Sequence, residues 1–308
     1  MKIVFMGSPD FAAVILEKLF DAGFDIAEVI SNPDKSRGRK KELIPSETRA
    51  KAMELGIPTR TTARIRNPEE IEHLRDIAPD MIIVAAFGQI IPSEILELPR
   101  FGCINVHASL LPAYRGAAPI QWAILNGDSE SGVTIMKMGE GLDTGDMISR
   151  KVIPISDSET AGSLFDKMAY EGAELLIKTI PEIENGTAVY TAQPEESTTS
   201  YAGMIKKEMG RIKWDDAAEK IERLVRGMNP WPCAYTYLDG KMLKIWKSSV
   251  SNDSLDLKPG SVMADKDNIY VGTGEGTLKI EELQLEGKKR MGAVDFLKGK
   301  QVDGSVLG

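Results

Sequence analysis

Asn105, His107 and Asp143 are the residues whose types and spacing fit acyl-transfer chemistry. The chain has only two histidines, and one of them, His107, closes an apolar, strand-like run from Gly102 to His107. Side chains alternate along a strand, so Asn105, two residues back, shares a face with His107. An amide and an imidazole side by side can hydrogen-bond a carbonyl oxygen as it gains negative charge. The bland alternative is a core histidine at a strand end. Two features weigh against it. The end of a strand in an open parallel sheet is where ligands bind. The next residues, Ser109-Leu110-Leu111-Pro112, make a turn whose backbone amides and apolar side chains suit a flat ligand. Asp143 sits between Gly141 and Gly145, after a predicted strand Val133 to Met138. It either orients and charges the imidazole or holds its own turn. Asp146, three residues on, competes for the same role.

Other chemistries find no foothold. Gly7-Ser-Pro-Asp-Phe11 follows a strand and opens a helix, as a dinucleotide-binding turn does, but it lacks the second and third glycines that let a backbone approach a pyrophosphate. No G-x-S-x-G elbow and no P-loop is present. Two histidines and two cysteines give no zinc-ligand spacing. Direct transfer with acid–base and electrostatic help remains. His73 lies in a charged helix and reads as a surface residue, and the fourteen methionines read as core filler.

The elements that must position this site are legible as an α/β pattern. Lys2 to Met6 reads as a buried strand, with Ser8 as helix N-cap and Pro9 at the first helical position. Phe11, Val14, Ile15, Leu16 and Leu19 recur at helical spacing, Gly23 ends that helix, and Ile26 to Ser31 is the next strand. Met81 to Ala86 is a continuous apolar run, as a central parallel strand requires. Ala161 to Ile180 reads as a helix. The polar stretch Gly186 to Ser200 reads as a connection, giving a catalytic domain over residues 1–189, a linker over 190–205 and a second domain over 206–308. In the last, Asp215 to Gly227 is an amphipathic helix. Short strands follow at Ala234 to Leu238, Met242 to Trp246, Gly260 to Val262, Asn268 to Val271 and Thr277 to Leu285. Turns every 8 to 12 residues or so suggest a small barrel.

Composition sets the partners. Cys103 and Cys233 are too few and too far apart for a disulfide framework and fit a reducing, cytoplasmic setting. The N-terminal apolar run is too short for a secretory signal, and no run approaches the roughly 18 to 20 residues of a membrane helix. The net charge of −8 is uneven: residues 206–308 hold 18 Lys and Arg against 16 Asp and Glu, and residues 1–205 hold 20 against 30. Within that acidic portion, Lys35 to Lys41 places five cations in seven residues, a loop that would attract phosphates at the site mouth.

With these residues in hand, the chain resembles the methionyl-tRNA formyltransferases, within the wider folate-dependent formyltransferases. The resemblance covers essentially the whole length. It is carried by Phe5-Met-Gly-Ser-Pro-Asp-Phe11, the basic loop between Pro33 and Pro45, and Cys103-Ile-Asn-Val-His-Ala-Ser-Leu-Leu-Pro112. It continues through Tyr114-Arg-Gly-Ala-Ala-Pro-Ile-Gln121, Gly132-Val-Thr-Ile-Met136, Gly141-Leu-Asp-Thr-Gly-Asp146 and Asn229-Pro-Trp-Pro232. Ala108 departs from the glycine common after the histidine. The resemblance implies a Rossmann-like domain with a parallel-rich sheet and a C-terminal OB-like β-barrel. It implies 10-formyltetrahydrofolate as donor, no metal, and the α-amino group of initiator methionyl-tRNA as acceptor, with a monomer as the working form. By the same match Asn105, His107 and Asp143 are catalytic, Ser109, Leu110, Leu111 and Pro112 contact folate, and Arg39, Lys40 and Lys41 grip tRNA. A formyltransferase acting on a sugar-nucleotide amine, a formyl-folate hydrolase and a catalytically inert RNA-binding protein are the alternatives.

Overall fold

The computed structural model describes residues 1–37, 42–253 and 255–308. The expected tRNA contacts Arg39, Lys40 and Lys41 lie outside the described residues. The chain divides into two compact units. The first comprises Met1–Pro119, Glu130–Pro154 and Phe165–Gly203, and the second Ile120–Ser129, Ile155–Leu164 and Met204–Gly308.

In chain order the elements up to residue 184 are β1 (Lys2–Gly7), α1 (Asp10–Asp21), β2 (Asp25–Ser31), β3 (Lys35–Arg37), β4 (Glu42–Ile44), α2 (Glu47–Glu54), β5 (Thr59–Thr61), α3 (Pro68–Ile77), β6 (Met81–Ala85), α4 (Ser93–Leu96), β7 (Cys103–His107), α5 (Pro119–Asn126), β8 (Glu130–Lys137), β9 (Met147–Pro154) and α6 (Ala161–Glu184). Among the described residues, seven strands form one sheet in the order β5-β2-β1-β6-β7-β8-β9. The first five run parallel; β8 is antiparallel to β7, and β9 antiparallel to β8. The parallel strands β6 and β7 are buried at every position, as strands covered on both faces must be. β3 and β4 pair antiparallel as a separate two-stranded sheet.

The turn after β1 departs from expectation in one detail. Pro9, not Ser8, is the N-cap of α1, and no side chain caps it. The Ser8 hydroxyl instead accepts from the backbone and side-chain N–H groups of Asn32, at 3.0 and 2.8 Å. The Asn32 amide also donates to the Phe87 carbonyl at 2.7 Å. These bonds tie the end of β2 and the Phe87 backbone to the turn after β1. His73 on α3 is half-buried rather than free on the surface, and its Nε2 lies 2.7 Å from the Glu28 carboxylate.

The second unit continues with α7 (Ala218–Gly227), β10 (Ala234–Leu238), β11 (Lys241–Val250), β12 (Val262–Ala264), β13 (Ile269–Gly272), β14 (Thr277–Leu285), β15 (Met291–Gly292) and α8 (Ala293–Gly299). The antiparallel order is β10-β11-β14-β13-β12, with β15 on β14. Its core is apolar and continuous, from Ile221 and Val225 on α7 through Leu243, Ile245, Leu278 and Ile280 to Phe296 on α8. The expected barrel does not close among the described residues. Each edge is met by a different segment. The C-terminal tail bonds beside β12, with Val262 N donating to Ser305 O at 2.9 Å and Leu307 N to Gly260 O at 2.8 Å. Beside β10, Ile212 N donates to Tyr235 O at 2.8 Å. No described helix is long and apolar enough to cross a membrane.

Candidate active site

The site is built on one face of β7, in the first unit. Val106 points to the other face, where Gly172 of α6 comes so close that a Cβ there would sit 3.0 Å from Val106 Cγ1. The alternation of strand side chains then puts Asn105 and His107 together on the face away from α6. Both are buried, at 8% and 6% exposure. Asn105 stands opposite Met136, and His107 opposite Thr134, across the β7–β8 ladder.

The imidazole has an acceptor at each nitrogen. Nε2 lies 3.1 Å from the backbone carbonyl of Tyr114, and a carbonyl can only accept, so Nε2 carries the proton. Nδ1 lies 3.7 Å from Asp143 Oδ1, ion-pair distance rather than hydrogen-bond distance. Of the two aspartates that compete in the sequence, Asp143 is the one whose carboxylate reaches the ring, and Asp146 is exposed. Asn105 is different. Among the described residues nothing hydrogen-bonds its side-chain amide, although the residue is more than nine-tenths buried. Its amide atoms are not among the enclosed side-chain atoms that lack a partner, so they reach solvent and stay open to a ligand oxygen.

The turn Ser109–Pro112 is stiffened from within. The fully buried Ser109 hydroxyl donates to Ala113 O at 2.6 Å. The fully buried Thr134 hydroxyl donates to Ser109 O at 2.7 Å and accepts from Leu111 N at 3.1 Å. Leu111–Pro112 is cis. Leu111 packs with Met136 and Met147, and Gly132 leaves room for Leu110, whose Cδ2 would lie 2.6 Å from a Cβ at that position. The Ser109 side chain is thus engaged by the protein, and Leu110 and Pro112 are the half-buried members of the turn.

Four residues of the site escape sequence reasoning. Gly116 N donates to Asp143 Oδ2 at 2.9 Å. Gln193 donates from Nε2 to the carbonyls of Asp143 and Gly145, at 2.9 and 2.7 Å. Arg115, itself buried, donates to Gln193 Oε1 from Nε at 3.1 Å and from Nη2 at 3.0 Å. Ser197 donates to Pro112 O at 2.6 Å. The stretch from Thr191 to Ala202, polar and aperiodic in sequence, is thereby bonded to the site loops; Thr199 Oγ1 accepts from Tyr114 N at 2.7 Å, and Thr191 bridges to Met147. Its signal was available only as polar side chains without a period. Among the described residues no group of three His, Cys, Asp or Glu could hold a metal ion.

Comparison with known proteins is consistent along the chain. Residues 1–180 match the formyl transferase family and residues 204–301 the formyl transferase C-terminal domain. The methionyl-tRNA formyltransferase of Agathobacter rectalis is 50% identical over 304 residues, covering 98% of each chain. That of Geobacter metallireducens is 48% identical over 307 residues, 99% of this chain and 98% of its own. Among solved structures, the N-formyltransferase from Helicobacter canadensis in complex with folinic acid and dTDP-3-aminofucose shares the fold at a TM-score of 0.68, with 21% identity over 94% of this chain and 100% of that one. HypX from Aquifex aeolicus in complex with tetrahydrofolic acid gives a TM-score of 0.66 and 19% identity over 99% of this chain and 50% of its own.

Proposed function

The chain belongs to the formyl transferase family, and from that premise we infer that it transfers the formyl group of 10-formyltetrahydrofolate to the α-amino group of initiator methionyl-tRNA, giving N-formylmethionyl-tRNA for translation initiation. The acceptor is supported by full-length relatives at 43 to 50% identity that carry the methionyl-tRNA formyltransferase name. A folate donor is supported by the family and by the tetrahydrofolate-bound neighbour of the same fold.

For the chemistry, the observation that carries the reading is the amide of Asn105, used by no described protein group, on the same strand face as the His107–Asp143 pair. The methionyl amine attacks the formyl carbon, and negative charge gathers on the formyl oxygen. Asn105 Nδ2 and a protonated His107 donate to that oxygen, already oriented before the charge forms. Asp143 balances the charge on the ring and takes part in removing the ammonium proton of the attacking amine, directly or through water. The C–N10 bond then breaks and N10 of the folate takes a proton, leaving tetrahydrofolate and the formylated amine. Leu110 and Pro112 offer apolar contact to the flat donor.

Binding of tRNA needs only local positive charge. The sequence groups Arg39, Lys40 and Lys41 in one basic run, and the second unit offers an exposed Lys288-Lys289-Arg290 turn, with the Arg290 guanidinium 4.7 Å over the Trp246 ring. A cytoplasmic monomer fits this reading. The test is product analysis with purified protein, 10-formyltetrahydrofolate and initiator methionyl-tRNA. Formylmethionyl-tRNA formed in step with tetrahydrofolate is the expected result. Tetrahydrofolate and free formate without formylated tRNA would make the protein a hydrolase and overturn the reading.

A further inference from the structure

We propose that Gln193 is a positioning residue for formyl transfer, one that locks the loop after β8 so that Asp143 faces His107. The argument starts at the backbone of Asp143, whose φ is +52°. A left-handed conformation is uncommon for a residue with a Cβ and persists only where the surroundings enforce it. The 138–146 loop is glycine-rich, with Gly139, Gly141 and Gly145, so little in its own sequence enforces it. Lys137 N closes the base of the loop on Asp146 O at 2.9 Å; at Asp143 itself, two restraints among the described residues come from elsewhere in the chain.

The first is Gly116 N–H, which holds Asp143 Oδ2 at 2.9 Å and so fixes the far oxygen of the carboxylate. The second is the Gln193 amide, whose two N–H bonds take the carbonyls of Asp143 and Gly145 at 2.9 and 2.7 Å, clamping the backbone on both sides of Thr144. That amide cannot turn over without cost. Its oxygen accepts two bonds from the Arg115 guanidinium, at 3.1 and 3.0 Å. A flipped amide would face NH2 towards a guanidinium and its oxygen towards two carbonyls, losing four hydrogen bonds at once. Arg115 is held in turn by the carbonyls of Pro194 and Glu195, at 2.7 and 3.0 Å. Arg115 and Gly116 are adjacent, so one short segment holds the carboxylate directly and its backbone through Gln193. The gap it sets is 3.7 Å between Oδ1 and the ring. Misplacing a reacting group by an ångström costs up to about a hundredfold in rate.

This proposal rests on the formyl-transfer reading for its rate effect, so the experiment carries a second readout independent of it. Gln193→Glu is nearly isosteric and keeps the oxygen that meets Arg115. It removes the two N–H donors to the loop. Gln193→Ala removes both. The ring 1H–15N signals of the chain's two histidines are recorded at fixed pH in ligand-free protein, with His73, on α3, as internal control. In both variants the His107 signals should move and those of His73 should stay. Turnover should fall by about tenfold or more, with KM for the formyl donor little changed. Unmoved His107 signals, whatever the turnover, would overturn the proposal. Parent-level turnover in Gln193→Glu would overturn it as well. Should the parent protein fail to formylate methionyl-tRNA, the functional reading falls and the histidine signals still decide the role of Gln193.

Discussion

Replacing Asn105 by Ala removes an amide that no described protein group uses, so the fold should lose little and the reaction a transition-state hydrogen bond. Turnover is expected to fall by about 10² to 10³, with an almost unchanged melting temperature. His107→Ala should cost at least as much; near-parent turnover in either variant would remove that residue from the chemistry. The two cysteines give a different prediction. Burial pushes the Cys103 thiol up to about 12 and the Cys233 thiol up to about 11, from an ordinary value of 9.0. Above about pH 9 the unfolded chain releases these protons while the fold keeps them, so stability present below pH 9 is lost as pH rises towards 11. Alkaline titration of the melting temperature should show a fall that is shallower in a Cys103→Ala, Cys233→Ala variant with its own neutral-pH value as reference. At this scale Asn105 and His107 were legible because strand alternation puts them on one face. Spacing alone left Asp143 and Asp146 open, and only the family resemblance favoured Asp143; Gln193 was not legible, because these contacts join residues 27 to 78 apart in sequence.

The strands of the second unit show how far local pattern reaches. Ala234–Leu238 and Thr277–Leu285 are strands over the bounds that alternation and turn residues predict. The sequence pattern suggests a small barrel, but among the described residues these strands do not close, since closure depends on which segment pairs with each edge. β9 also escaped: its burial is irregular, with Ser149 to Val152 half-buried or exposed, so no period marks it. Polar groups inside elements matter as much as the pattern. Thr134 of β8 is fully buried, and its hydroxyl serves both Ser109 O and Leu111 N. Thr134→Val keeps the shape and leaves a buried acceptor and a buried donor without that partner, a cost of about 1 to 3 kcal/mol each. For a unit of this size that corresponds to a drop of several degrees, roughly 2 to 4 °C per kcal/mol, in melting temperature. A melting temperature equal to the parent's would mean that the turn after β7 is held in another way.

Across the whole molecule, charge is distributed as the partner requires rather than by bulk. A chain of net charge −8 can still bind tRNA if its cations are grouped. Affinity for tRNA should fall steeply with salt, and Lys288→Ala with Lys289→Ala should lower the slope of log affinity against log salt by about one for each phosphate that is no longer neutralised. Arg39→Ala should raise KM for tRNA while leaving KM for the folate unchanged; unchanged tRNA kinetics would take the basic loop out of the interface. The family was legible because its motifs run the length of the chain, from Phe5 to Pro232. The most direct measurement of the central claim is formyl transfer from 10-formyltetrahydrofolate with initiator methionyl-tRNA and a dTDP-linked amino sugar offered in parallel. Formyl on the methionyl amine alone is the predicted result. Formyl on the sugar amine alone, or on neither acceptor, would contradict it.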